Sequence, residues 1–122
     1  MTCTEFDRLV ARAFAKIPLR FRRRLKNVAL VVEPEPPPLP GGGTLLGLYR
    51  GRPLTRRSVF ESFSMPDCIT IYQGPHERIA RSPAHLEQLV EDTVWHEVAH
   101  YFGMDELQVR AAERRRSRMP HR

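Results

Sequence analysis

A run of prolines and glycines limits what the first half of this chain can fold into. Residues 33–43 read EPEPPPLPGGG. Proline lacks the amide hydrogen that helices and sheet ladders use, so this segment can be neither a helix nor a central strand. We predict an extended surface loop that acts as a plain connector. The alternative is a proline-rich ligand for the groove of a partner protein.

Before this loop the pattern predicts one helix and one strand. Apolar residues at helical spacing, with Thr4 as the N-cap, indicate a helix that Pro18 ends. A short basic helical turn is predicted over 19–27, and the run VALVV at 28–32 is typical of a buried strand. The helical apolar positions are Phe6, Leu9, Val10, Ala13, Phe14 and Ile17.

After the loop we predict strands at 44–49, 59–63 and 67–73, the last of which Gly74 and Pro75 end. The alternating third strand can be an edge strand or a central one.

A long helix follows, with Ser82 as its N-cap, Pro83 at its first position and Gly103 as its C-terminal cap. A short last helix is predicted over 105–114. The buried stripe of the long helix comprises Leu86, Leu89, Val90, Thr93 and Val94.

This order of elements predicts an α+β fold. A small mixed or antiparallel sheet would pack against an N-terminal helix and a long helix. The chain has 122 residues, 41% of them hydrophobic and 28% charged, which suits one globular domain rather than a disordered chain. We predict a single domain over 1–113 and a basic disordered tail over 114–122.

The long helix ends in the sequence His96-Glu97-Val98-Ala99-His100. Residues four apart on a helix differ by about 40° in azimuth, so His96 and His100 point to the same side and can grip one zinc ion. Glu97 projects about a quarter-turn away. It suits a general base that takes a proton from a water on the metal.

A catalytic zinc site needs a third protein ligand. Counted from His96, Gly103 lies at +7, Asp105 at +9 and Glu106 at +10. The metzincin pattern places its third histidine at +10, which favours Glu106 slightly over Asp105. Alternatively, both acids belong to the first turn of the last helix, where they complement its dipole.

Four motifs together resemble those of short bacterial zincin-like metallopeptidases. They lie at 45–49 (LLGLY), 51–55 (GRPLT), 66–75 (PDCITIYQGP) and 94–103 (VWHEVAHYFG). The resemblance spans residues 28–112 and implies a minimal matrixin-like fold with one zinc ion per chain. In relatives an aspartate commonly follows the glycine, at +9 or +10. No methionine turn is evident, because Met104 is too close and Met119 lies in the tail.

Other residues are candidates for substrate contact. In larger zincins an edge strand beside the cleft pairs with an extended substrate, and strand 67–73 is the best candidate for that role. His76 and His85 can contact the transition state, although ordinary surface histidines are the favoured interpretation. Tyr101 can donate to an oxyanion, although aromatic packing is favoured.

The net charge of +6 favours acidic partners, yet a solvated surface explains it more simply. Nucleic-acid binding therefore ranks last, since no stacking aromatics interleave the arginine clusters. Cys3 and Cys68 form no CxxC unit, so reduced thiols are predicted. No segment approaches the roughly 20 apolar residues of a membrane span, and the N-terminus is acidic. We expect a bacterial, cytoplasmic protein that does not enter a membrane.

Two functional hypotheses follow. The first is a zinc metallopeptidase that hydrolyses peptide bonds in a peptide or protein substrate, with Glu97 as base and then acid. The second is a non-catalytic metal-binding regulatory or protein-interaction domain with a vestigial zincin site. The presence of Glu97 favours the first, because a structural metal site needs no such base.

Overall fold

The computed structural model describes residues 1–51 and 67–103, which form four helices and three strands. The predicted strand at 59–63, the predicted helix at 105–114 and the predicted tail lie outside these ranges. The elements are α1 (Cys3–Ala15), α2 (Leu19–Arg22), β1 (Val28–Glu33), β2 (Gly47–Arg50), β3 (Asp67–Tyr72), α3 (Gln73–Ile79) and α4 (Pro83–Tyr101).

Both long helices begin at hydroxyl caps. The Oγ1 of Thr2 accepts a hydrogen bond from the amide of Glu5 at 3.1 Å, so Thr2 caps α1 and the expectation of Thr4 was wrong by two residues. Helix α4 begins as predicted, with the Ser82 side chain accepting from the amide of His85. Gly103 follows its last turn with a φ of +77°, the left-handed conformation that a terminal glycine supplies.

The three strands form a mixed sheet in the order β1-β3-β2. Strand β1 pairs with β3 in parallel, and β2 pairs with β3 antiparallel. This confirms the predicted α+β class with a small mixed sheet. Among these strands β3 is central, so the edge-strand interpretation of 67–73 was wrong. Ile69 and Ile71 on β3 are fully buried, as a central strand requires.

Helix α3 was not predicted. Gly74 and Pro75 indicated a turn after β3, but they form the first turn of a helix, where proline needs no amide hydrogen. The amide of Gly74 donates to the carbonyl of Pro34 at 2.8 Å. Arg78 donates twice to the carboxylate of Glu35. The loop was predicted over 33–43; Glu33 is instead the last residue of β1, and residues 34–43 form neither helix nor strand. The two contacts hold the loop against α3.

One core joins the helices to the sheet. Helix α1 packs on α4, and α4 packs on β2 and β3. The core consists of Phe6, Leu9, Val10, Ala13, Ile17, Ile69, Ile71, Leu86, Val90, Val94, Trp95 and Val98. Four of the five residues predicted for the α4 stripe are buried, and Leu89 is half-buried. This packing fixes α4 against the sheet, with its last two turns beside β2.

Two further expectations concern thiols and membranes. Cys3 is exposed and Cys68 is half-buried, and both are free, as predicted. Within residues 1–51 and 67–103, every helix is too short or too polar to cross a lipid bilayer.

The contact between α1 and α4 gives a stability prediction. Leu9 is 4% exposed in the core, whereas Leu19 at the start of α2 is 49% exposed. Replacing Leu9 by alanine removes packed atoms and leaves a cavity, so we expect a loss of about 2–5 kcal/mol in the free energy of unfolding. The matched change Leu19→Ala should cost less than about 1 kcal/mol. Urea denaturation of both variants measures the difference, and equal losses would contradict this packing.

Candidate active site

The last two turns of α4 bring His96, Glu97 and His100 together. The two imidazole rings lie 4.5 Å apart, centroid to centroid. One nitrogen from each histidine and one carboxylate oxygen of Glu97 all lie within 4.8 Å of one another. Imidazole nitrogen and carboxylate oxygen are ligand types that zinc accepts. The donor set therefore fits zinc, and both histidines lie on one side of the helix, as their spacing predicts.

Glu97 is buried, although the histidines beside it are half-exposed. Its Oε1 lies 3.3 Å from Nδ1 of His100, which leaves Nε2 of that ring for a metal. Burial raises the pKa of the Glu97 carboxyl. Positive charge on His100 and His96, and hydrogen bonds from His100 and from the backbone amide of Tyr49, offset part of that rise. The result is a carboxyl group that holds a proton more readily than an exposed glutamate does.

The amide that reaches Glu97 belongs to the outer edge of β2. Tyr72 donates its amide to the carbonyl of Leu46, and hydrogen-bonded pairs alternate along an antiparallel ladder. Leu48 therefore directs its backbone groups toward β3, whereas Gly47 and Tyr49 direct theirs away from it. Among the strands described, β2 is the one whose outer edge meets the carboxylate of Glu97.

The close approach of β2 to α4 depends on Gly47. A Cβ atom at this position would lie 2.7 Å from Cγ2 of Thr93 and 3.2 Å from Cγ of Glu97. A contact of 2.7 Å is one that real Cβ atoms essentially never make, so a side chain here would force the strand, Thr93 or both to shift. A glycine within a strand often marks such an approach of two segments.

His76 is fully buried, so the surface interpretation of this histidine was wrong. Its Nδ1 lies 2.7 Å from the carbonyl oxygen of Tyr72, and its Nε2 lies 2.9 Å from Oγ1 of Thr93. The Thr93 hydroxyl also lies 2.9 Å from the carbonyl oxygen of Leu89. The imidazole thus links the end of β3 to the middle of α4, one turn before His96. It does not belong to the metal cluster.

Tyr101 and His85 behave as the favoured interpretations predicted. Tyr101 is buried, and its ring packs edge-on against those of Tyr49 and Phe102. Its hydroxyl donates to the carbonyl oxygen of Arg24 at 3.3 Å. His85 is half-exposed in the first turn of α4, where its Nδ1 accepts the amide of Arg81.

Asp105 and Glu106, the two candidates for a third ligand, lie outside the residues that the structure describes. The choice between them stays a prediction.

Three contributors to this site were not found from the sequence. The roles of Gly47, the Tyr49 amide and Thr93 depend on contacts between β2 and α4. The segment LLGLY was noted as a motif, but nothing local says that it lies on Glu97. A glycine inside a strand pattern is the one signal that could have indicated a close contact there.

A small mixed sheet packed on a helix with an H-E-x-x-H sequence is the arrangement of a zincin-like protein. The chain belongs to the zincin-like metallopeptidase family, whose sequence profile matches residues 25–116. It is also similar to a conserved hypothetical protein from Thermus thermophilus. That similarity has 30% identity and a TM-score of 0.61, and covers 93% of this chain and 99% of the other. No curated protein matches the sequence. The family implies a zinc-binding peptidase fold.

The burial of His76 gives a pH prediction. Desolvation lowers the pKa of His76, and the carbonyl groups of Tyr72 and Leu89 offset only part of that. Below about pH 6.5 the unfolded chain binds a proton at His76 that the folded chain does not. The free energy of unfolding therefore decreases as the pH is lowered. The contribution of His76 is at most about 1.4 kcal/mol per pH unit.

The check compares wild type with His76→Gln by urea denaturation at pH 7.5 and 5.5, in the same metal state. Wild type should be the more stable by about 1–3 kcal/mol at pH 7.5, because the variant loses buried hydrogen bonds. That advantage should shrink at pH 5.5. The control His85→Gln should follow the wild-type pH dependence. An advantage that stays constant between the two pH values contradicts the prediction.

Proposed function

We propose that this protein is a zinc-dependent peptidase that hydrolyses peptide bonds with Glu97 as general base. The observation that carries the proposal is the position of the Glu97 carboxylate. It is buried, it lies within 4.8 Å of ligand nitrogens of His96 and His100, and it contacts the outer edge of β2. A structural metal site would have no need for such a buried carboxylate.

In the proposed reaction His96 and His100 would hold zinc, and Asp105 or Glu106 would supply the third protein ligand. Zinc, when bound, lowers the pKa of a coordinated water toward about 7 and polarises a carbonyl group. Glu97 then takes a proton from the attacking water and passes it to the leaving amine. In the metal-free protein burial raises the pKa of the Glu97 carboxyl, while its contacts with His100 and the Tyr49 amide offset part of that rise.

The outer edge of β2 is the surface that we propose for the substrate backbone. An extended peptide can add to a strand edge through main-chain hydrogen bonds. Gly47 directs its backbone groups away from β3, and Glu97 lies against the same strand. A peptide bound along this edge would therefore have a backbone amide bond next to the Glu97 carboxylate. Substrate pairing was predicted from the sequence for strand 67–73; we now assign it to β2.

Metal content is the first test. Freshly purified protein should contain about one zinc ion per chain by elemental analysis. The variant His100→Ala should lose most of it, because the protein ligands that remain hold zinc far more weakly than the complete set. His85→Ala removes a histidine from the same helix outside the cluster, and it should retain the metal. Absence of zinc in wild type after zinc is supplied would exclude the proposed function.

Hydrolysis is the second test. A mixture of unstructured peptides, with products identified by mass spectrometry, should be cleaved by the zinc-loaded protein. Glu97→Gln keeps the size of the side chain but cannot accept the proton, so the rate should fall about 10²- to 10⁴-fold while zinc is retained. Glu87→Gln is the control, since Glu87 lies on the same helix, half-exposed and paired with Lys16. Zinc binding without cleavage would favour the non-catalytic metal-binding domain.

A further inference from the structure

A cleft runs along α4 from its middle to the candidate active site. One wall is the segment 44–47, which leads into β2, and the other is the face of α4 that carries Leu89, Thr93 and Glu97. We call it the α4–β2 cleft. Its volume is about 340 Å³, and His96 and Glu97 form one end of it. Anything that occupies this cleft lies against the proposed general base.

The spacing of Leu89, Thr93 and Glu97 on α4 determines which part of the cleft each residue lines. Leu89, Thr93 and Glu97 are four residues apart, so they follow one another on a single face over successive turns. Leu89 lies about 12 Å along the helix axis from Glu97. It therefore lines the part of the cleft farthest from the carboxylate, and its side chain sets how far an occupant can extend.

The walls between these two ends are mostly apolar. Leu45 and Leu46 line one side and Leu89 the other, and the methyl group of Thr93 packs at Gly47 between them. Asp92 also lines the cleft, and its carboxylate accepts a hydrogen bond from Gln88 at 2.9 Å. An apolar group gains by leaving water here. A charged group would lose hydration against leucine side chains.

Thr93, which forms part of the α4 wall of the cleft, is positioned by contacts with His76 and Leu89. The Thr93 Oγ1 lies 2.9 Å from Nε2 of the buried His76 and 2.9 Å from the carbonyl oxygen of Leu89, and with His76 neutral the one hydrogen of the hydroxyl can be donated to only one of them. Either contact orients the side chain of Thr93, whose methyl group faces Gly47. A wall that is ordered before binding loses little entropy when a ligand enters.

We propose that the α4–β2 cleft is a specificity pocket. It takes one large apolar side chain of a peptide substrate, such as leucine, methionine or phenylalanine, from a residue next to the bond that is cut. The volume lies near the lower end of the range for small-molecule pockets, about 300–1,000 Å³, which suits one side chain rather than a cofactor. This inference rests on the proposed peptidase function and names its substrate class.

The test changes the depth of the pocket. Leu89→Phe should fill the far end, and Leu89→Ala should enlarge it. In the cleaved peptide mixture, wild type should favour a large apolar residue at one position next to the cleaved bond. Leu89→Phe should lower kcat/KM for such peptides relative to alanine-containing ones by at least about tenfold. Leu30→Phe on β1, 36% exposed and away from the cleft, is the matched control and should keep the wild-type preference.

A binding measurement separates this inference from the peptidase proposal. The zinc-loaded variant Glu97→Gln is titrated with N-acetylated leucine, lysine and aspartate amides, while the leucine methyl signals are followed by NMR. Selective shifts of Leu45, Leu46 and Leu89 with the leucine amide support the pocket, even if no peptide is cleaved. Cleavage without an apolar preference, a preference unchanged in Leu89→Phe, or selective binding of the lysine amide overturns the pocket while the peptidase proposal stands. If no peptide is cleaved and no amide binds selectively, both the pocket and the peptidase proposal are overturned.

Discussion

The contact between Gly47 and helix α4 is the constraint on which the rest of the site depends. Because Gly47 has no side chain, β2 can lie on Thr93 and Glu97 at a distance that any Cβ atom would forbid. At that distance the amide of Tyr49 reaches the Glu97 carboxylate. The same segment forms one wall of the cleft that ends at Glu97. A single missing side chain thus allows β2 to contact the proposed base and to form one wall of the cleft beside it.

His76 and Glu97 are both buried, and burial shifts their pKa values in opposite directions. It raises the pKa of Glu97 and lowers the pKa of His76, because burial penalises the charged form of each group. Their roles differ because of where they point. His76 is enclosed by a carbonyl oxygen and a hydroxyl group, and it holds the middle of α4 to β3. Glu97 lies at an edge with half-exposed histidines beside it, so it can exchange a proton with a ligand.

Local signals predicted much of this structure, and contacts between distant segments account for the rest. Ser82 and Gly103 mark the ends of α4 because capping depends on a few neighbouring residues. The grouping of His96, Glu97 and His100 follows from helix geometry alone. The burial of His76 could not be predicted, because its partner Thr93 lies 17 residues away on another helix. The central place of β3 likewise depends on both neighbouring strands, and α3 begins where Gly74 and Pro75 indicated only a turn.

The order of the strands has a consequence for how this chain acquires its structure. In the sheet described, β1 and β2 do not pair with each other, and each has β3 as its neighbour. As the chain leaves the ribosome, neither of these two strands can form the pairing seen in this sheet until residues 67–72 emerge and insert between them. The non-local pairing must wait, and such pairing is slow. Helix α4 follows β3 within about a dozen residues. A nascent chain that ends before β3 would therefore also lack α4, which carries His96 and His100. Such an incomplete chain has neither the complete sheet nor the metal-binding histidines.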